Sequence, residues 1–245
     1  MSRRSIGIIT AATAGIACAA LIGGPAFADT PTPTPSPSAS HAPKTLAQIQ
    51  AAGAKATSDR ETKLTAAIAK VNADKYLTSG DKSTILARLN NDLAGMKSSA
   101  SAIAADTTTT QAAADLKKVY DSYRVYAVAL PQARDASAAD RLTGTTIPKL
   151  TKEQSTLADL LSGADKAKST SALQSDLSDL TAQLATASHD ASRVSAAALA
   201  VTPSSYDSNH SALSSAKSSL ASARTAVKKA ESDAKSVREA IKTKK

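Results

Sequence analysis

Residues Ser171 to Val201, SALQSDLSDLTAQLATASHDASRVSAAALAV, decide the fold. Leu173, Leu177, Leu180, Leu184, Ala187, Ala191, Val194, Ala198 and Val201 recur at alternating steps of four and three. That is the heptad spacing that holds one helix face against a partner helix. Thr202-Pro203 then supplies a cap and a first-turn proline, the start of another helix. This last helix repeats every seven residues at Tyr206, Leu213, Leu220, Val227, Ala234 and Ile241, with a second seam at Asn209, Ala216, Ala223, Ala230 and Val237. A turn of two or three residues forces the two helices antiparallel, with residues facing each other when their numbers sum to about 405. The register sets Asp176 near Lys229 and Asp179 near Thr225 to Lys229, so the acidic start of one helix is expected to meet the basic end of the other.

Upstream, the same periodicity continues. Thr45-Leu46-Ala47-Gln48 has the form of a capping box and opens a helix to about Lys75, with Leu46, Ile49, Ala52, Ala56, Leu64, Ile68 and Val71 inward and Gly53 and Arg60 as weak points. Thr78-Ser79-Gly80-Asp81 stops and restarts the chain, and Leu86, Leu89, Leu93, Met96, Ala100 and Ile103 form the next stripe. A third helix is expected from Gln111 to about Leu130, where Pro131 cannot donate to the preceding turn. It should continue as one kinked element through Gln132 to Leu161, bent or interrupted at Gly144 and Pro148. The predicted architecture is all-α: an elongated antiparallel helical bundle of two three-helix units, 45–131 and 132–245, sharing a long kinked helix and ending in a coiled-coil-like hairpin.

Composition agrees with this reading. Of 245 residues, 54 are alanine, more than half of the 42% that are hydrophobic. Alanine loses no side-chain entropy in a helix, so an all-β chain is excluded and a core of closely packed small side chains is expected. Such nested helices should leave no hollow in which a reaction could run.

The first 28 residues read as an export signal: Arg3 and Arg4, an apolar run from Ile6 to Gly24, and Ala26-Phe27-Ala28 before Asp29. An uncleaved anchor, a partial twin-arginine pattern at Ser2-Arg3-Arg4-Ser5-Ile6 and a poor lipoprotein box ending at Cys18 are the alternatives. Cleavage removes Arg3 and Arg4 from a net charge of +9, leaving +7, and removes the single Cys and single Phe, so no disulfide can staple the fold. No transmembrane helix is expected after cleavage. Residues 29–44, DTPTPTPSPSASHAPK, form a Thr/Ser/Pro-rich spacer in solvated polyproline II, either a glycosylated stalk or a disordered mature N-terminus.

Chemistry finds little raw material. There is no Trp, and the three histidines fall in the spacer (His41) and at His189 and His210, too far apart in the predicted register to share a metal. No Gly-x-Ser-x-Gly elbow and no Gly-rich phosphate loop occurs, and Asp176 with Asp179 fits a surface ion-pair role. No cofactor and no enzymatic activity are expected. Two surfaces remain. Tyr120, Tyr123, Arg124 and Tyr126 could form an aromatic ligand patch or fill the space between helices that alanine leaves. Arg224, Lys228, Lys229, Lys235, Arg238, Lys242, Lys244 and Lys245 oppose three acids and could hold a polyanion, although no interleaved aromatics support nucleic-acid readout.

Asp121 to Pro131, with Asp81 to Met96 (DKSTILARLNNDLAGM), resembles uncharacterised secreted helical proteins of actinobacteria that carry a YRVY-to-LP segment. The resemblance implies export and a helical fold and brings no activity or site with it. The expected role is an exported, non-enzymatic structural or interaction module of the cell envelope, secreted and wall-associated, with an envelope protein or anionic polymer as partner. The alternative is an electrostatic binder of anionic envelope polymers or nucleic acid through the basic C-terminal helix.

Overall fold

The computed structural model describes residues 44–243, so the readings of the leader, of the spacer up to residue 43 and of Lys244 and Lys245 lie outside the described residues. In chain order the described residues form α1 (Leu46–Ala73), α2 (Ser79–Ala105), α3 (Thr109–Asp121), α4 (Leu130–Arg141), α5 (Ile147–Ser162), α6 (Ser171–Ser192), α7 (Val194–Leu199), α8 (Pro203–Ser208) and α9 (Ser214–Thr243). No strand occurs among them, and the protein is all-α.

Threonine sets the helix starts. Thr45 Oγ1 accepts the Gln48 amide at 3.3 Å while Gln48 Oε1 accepts the Thr45 amide at 2.9 Å, a closed capping box. Thr78, Thr108, Thr170 and Thr202 cap α2, α3, α6 and α8 through their side-chain oxygens. Each such cap satisfies an amide that the helix itself leaves unpaired and contributes about 1 kcal/mol.

The third helix ends earlier than the sequence predicts. It stops at Asp121, because Arg124 adopts φ 43° and ψ 40°, a left-handed conformation that no α-helix continues through. Pro131 does not terminate a helix: it sits in the first turn of α4, just after a π-helical turn at Val125–Ala129. Pro148 follows a second π turn at Leu142–Thr146, which contains Gly144. In an α-helix a proline ring collides with the carbonyl four residues back, and a widened turn beforehand relieves that collision. Residues 125–162 therefore run as one segmented helix, with a π turn ahead of each proline.

This segmented helix touches three apolar cores. At one end Leu64, Leu89, Met96, Ile103 and Val119 of α1, α2 and α3 pack with Val125, Ala129, Ala133 and Ala136. At the other, Leu157 and Leu161 of α5 pack with Leu180, Leu184, Ala230 and Val237 of α6 and α9. Between them Val128 and Ala139 meet Val194, Ala198, Leu213 and Leu220. All nine positions of the seam from Leu173 to Val201 are buried. Gly53 and Arg60, read from sequence as weak points, lie on the buried face of α1. A Cβ on Gly53 would come 2.7 Å from Ile103 Cγ2, so the glycine is what lets α1 approach α2.

α6 and α9 run antiparallel, in a register shifted from the predicted one. Lys168 Nζ donates to the Ile241 carbonyl at 2.8 Å, and Ser222 Oγ donates to Asp190. The pairs sum to 409 and 412 where 405 is expected, a slip of about one to two turns. The turn between α7 and α8 holds three residues, as expected, but the last helix divides after Ser208. Asn209 Oδ1 accepts the Ser211 amide at 2.9 Å, a local turn that competes with helix, and α9 begins only at Ser214. As a result Asp176 and Asp179 bear on Asp233, and its carboxyl is raised first by burial and then by these two acids. The expected meeting of an acidic start with a basic end is corrected accordingly.

Polar groups pin the middle of the molecule. Gln132, 1% exposed, donates from Nε2 to the Ala198 and Val201 carbonyls at 2.6 Å each, and its Oε1 accepts from Arg88. Asp140 accepts the Thr78 amide at 2.8 Å and the Ser195 hydroxyl at 3.1 Å, tying α4 to the start of α2 and to α7.

Candidate functional site

The basic residues of α9 do not act as one cluster. Arg224, Lys228, Lys235 and Lys242 follow one another at steps of four and seven, which at about 100° per residue sets them on one narrow strip. Lys217, seven residues before Arg224, extends the strip and was not singled out in the sequence. All five are exposed. Arg238 is engaged with Glu153 of α5, Lys235 Nζ lies 3.7 Å from Glu239, and Lys229 sits off the strip beside Asp233.

The tyrosines do not lie along one helix, since the chain turns between Asp121 and Val125. Tyr123 packs against the α1–α3 core over Gly95, where a Cβ would fall 2.2 Å from its ring. Tyr120 and Tyr126 are 43% and 47% exposed, and Arg60 lies over both rings at 4.5 and 5.0 Å from their centroids. Arg60 also donates to the Ala56 carbonyl at 2.9 Å. One face of each ring thus already holds the protein's own guanidinium. Arg124 is held by Asp121 at 3.2 Å and Asp207 at 2.6 Å, fixing the left-handed corner to α8.

A feature the sequence reading missed lies where α1, α4 and the middle of α9 meet. A groove of about 1150 Å³ opens there, so the expectation of a fold without hollows is corrected. It forms because its walls are built from short side chains: Ala66, Ala67, Ala133 and Ala138 leave space that longer residues would fill. Leu130 and Leu142 line it too: each packs one side on the cores and stays half-buried, leaving the other side to the groove. Around this apolar floor stand Lys63 and Lys70 of α1, Lys75 just after it, Arg134 and Arg141 of α4, and Arg224 of α9. The pairs on α1 and α4 are each seven residues apart, which is why one side of each helix presents both charges. Arg134 pairs with the buried Asp135 at 2.9 Å, while among the described residues the other five cations have no carboxylate within salt-bridge distance.

The acid that lines the groove is already committed. Asp74 accepts the Ser137 hydroxyl, the Tyr76 amide at 2.8 Å and the Leu77 amide at 3.3 Å. Burial works against its charge, but these hydrogen bonds prevail and its carboxyl is held below the usual range. Arg141 stacks over the Tyr76 ring at 4.9 Å, which fixes that residue at the rim. The arrangement offers fixed positive charge beside apolar surface, and no base is paired with a nucleophile in it.

Elsewhere, His189 pairs with Asp190 at 3.1 Å and His210 packs edge-on against Tyr206. Among the described residues no group of His, Cys, Asp and Glu is arranged to hold a metal ion, and no helix is long and apolar enough to cross a membrane. Asp92 lies beside Arg88 in a small separate hollow, its carboxyl raised to about 6 by burial against the opposing pull of that arginine. Comparison with family models, curated proteins and solved structures finds no match to this chain.

Proposed function

We propose that this protein is an exported, non-enzymatic interaction module of the cell envelope whose contact surface is basic and whose partner is an anionic polymer outside the cell. In this reading the bundle is two three-helix units joined through the segmented helix of residues 125–162, and the α6–α9 pair is a coiled-coil-like hairpin that stiffens the contact surface. The leader-like N-terminus and the resemblance to secreted helical proteins support export. The observation that carries the binding role is the run of cations without carboxylate partners around the groove, continued through Arg224 along α9 by Lys217, Lys228 and Lys242. Glu231 adds an acid to the α9 strip, and an excess of positive charge over a surface concentrates polyanions and makes their binding fall steeply with salt.

The test is retention of the purified protein on heparin and on extracted wall polyanion across a salt gradient. The triple variant Lys217→Gln, Lys228→Gln, Lys242→Gln removes exposed charge without touching a core residue. It should elute at clearly lower salt, with the dependence of log affinity on log salt shallower by about one per lost contact. Unchanged elution of the triple variant overturns the reading. Hydrolysis of a wall or peptide substrate that one point mutation abolishes would overturn its non-enzymatic part.

A further inference from the structure

Cations alone would account for a polymer contact; they do not account for what lies between them. A hydrophilic polymer crossing the groove would leave Leu130, Leu142 and the alanine floor in water. From this juxtaposition we propose that the groove between α1, α4 and α9 binds a soluble single-chain amphiphile with a phosphate head, its alkyl tail along the apolar floor and its head at the cationic rim. The inference rests on the reading that this basic face meets anions, and it names the ligand class for the groove.

Three observations carry it. The volume of about 1150 Å³ sits just above the range of about 300–1,000 Å³ usual for small-molecule clefts, so a tail and a head fit together. Besides Arg134, which Asp135 engages, the rim carries five cations against Asp74, which hydrogen bonds already occupy, more charge than one carboxylate head needs and suited to a phosphate bearing between one and two negative charges. Arg141 and Arg224 contribute planar guanidinium groups, which meet phosphate oxygens two at a time, and Arg141 is oriented by Tyr76 before any ligand arrives.

The assignment makes tail and head separately measurable. Titration calorimetry of the purified protein with octyl, decyl and dodecyl phosphate, each below its micelle concentration, should give one site per chain. Affinity should rise with each methylene, approaching about fourfold where the added group is fully buried. Inorganic phosphate should bind far more weakly, and dodecyl trimethylammonium should not bind. Arg141→Gln should weaken every alkyl phosphate by about tenfold while leaving the chain-length dependence intact. Ala66→Glu, at an exposed floor position, should abolish tail-dependent binding while the circular dichroism spectrum stays helical.

Affinity independent of chain length, or equal binding of a neutral alkyl glucoside, overturns the proposal. So does co-sedimentation with anionic vesicles without uptake of monomeric alkyl phosphate. Each of these leaves heparin retention untouched. Conversely, unchanged heparin elution of the triple lysine variant, with tail-dependent binding preserved, sinks the polymer reading and keeps the groove assignment.

Discussion

Where α6 meets α9 the seam is aliphatic, with Leu173, Leu180, Leu184, Ala230 and Val237 stacked in turn, whereas the helices around α1 bury Thr57, Arg60 and Asp92 beside Leu64 and Met96. In the first region stability comes from repeated burial of apolar surface, at roughly 1.5–3 kcal/mol for each large side chain and much less for alanine. In the second, burial depends on special fits: a glycine against an isoleucine, another glycine under a tyrosine ring, and an arginine between two aromatic faces. A regular interface is carried by its spacing, and an irregular one by particular atoms. Substitutions that keep size and polarity should therefore be tolerated in the first and felt in the second.

The sharpest way to break this comparison is a cavity in the regular region. Leu180 is fully buried between α5, α6 and α9, and Leu180→Ala should cost about 3 kcal/mol, read as a lowered denaturant midpoint. A loss below about 1 kcal/mol would mean the seam is not what holds α6 to α9.

Asp92 provides a test of opposite sign in the irregular region. Its carboxyl is raised from 3.8 to about 6, so the fold holds that proton more tightly than the unfolded chain does. Its contribution to stability is greatest below the unfolded value and declines as pH rises through about 6. Asp92→Asn should consequently stabilise the protein at pH 7, by up to about 3 kcal/mol, with the advantage vanishing near pH 4. Thermal melts of the two proteins from pH 4 to 8 measure it, and parallel curves would refute the buried-acid account.

The smallest expected effect contrasts two helical glycines. A glycine-to-alanine change in a helix ordinarily stabilises by up to about 1 kcal/mol. Gly80, with nothing within 4 Å of an added Cβ, should follow that rule, whereas Gly95→Ala should push Tyr123 aside and destabilise by about 1–2 kcal/mol. Equal shifts in the two melting temperatures would remove the distinction between a packed and an open glycine.

What could be read from sequence follows the same division. The seam residues of α6 and α9 and the threonine caps are legible because periodicity and capping are local, so Leu173 to Val201 and Thr45-Gln48 announce themselves within a few residues. The corner at Arg124 is not legible: an arginine in a left-handed conformation depends on Asp207, far along the chain. The register of α6 against α9 is missed because the Asn209 turn adds length that the heptads on either side do not report. Of the candidate sites, the C-terminal cations are visible as a charge run, but their strip includes Lys217 and excludes Lys229, a distinction that needs the helix phase. The groove was hidden because its cations come from three helices, and alanine, which shapes it, looks like generic helix-forming sequence until the helices are brought together. A signal was available in the heptad spacing of Lys63 with Lys70 and of Arg134 with Arg141.

The π turn at Leu142–Thr146 has one more consequence. Inward positions on the segmented helix step from Gln132 to Ala136 to Ala139, then from Ile147 to Leu150, Leu157 and Leu161, so Ala139 to Ile147 spans eight residues where a heptad has seven. The wide turn works as an expansion joint: it swallows the surplus residue and keeps both halves in phase. Length changes during evolution should then concentrate between Leu142 and Thr146 and accompany loss of Pro148, because losing one residue there restores an ordinary turn in which that proline collides, while the same deletion inside α6 would rotate everything after it out of its seam.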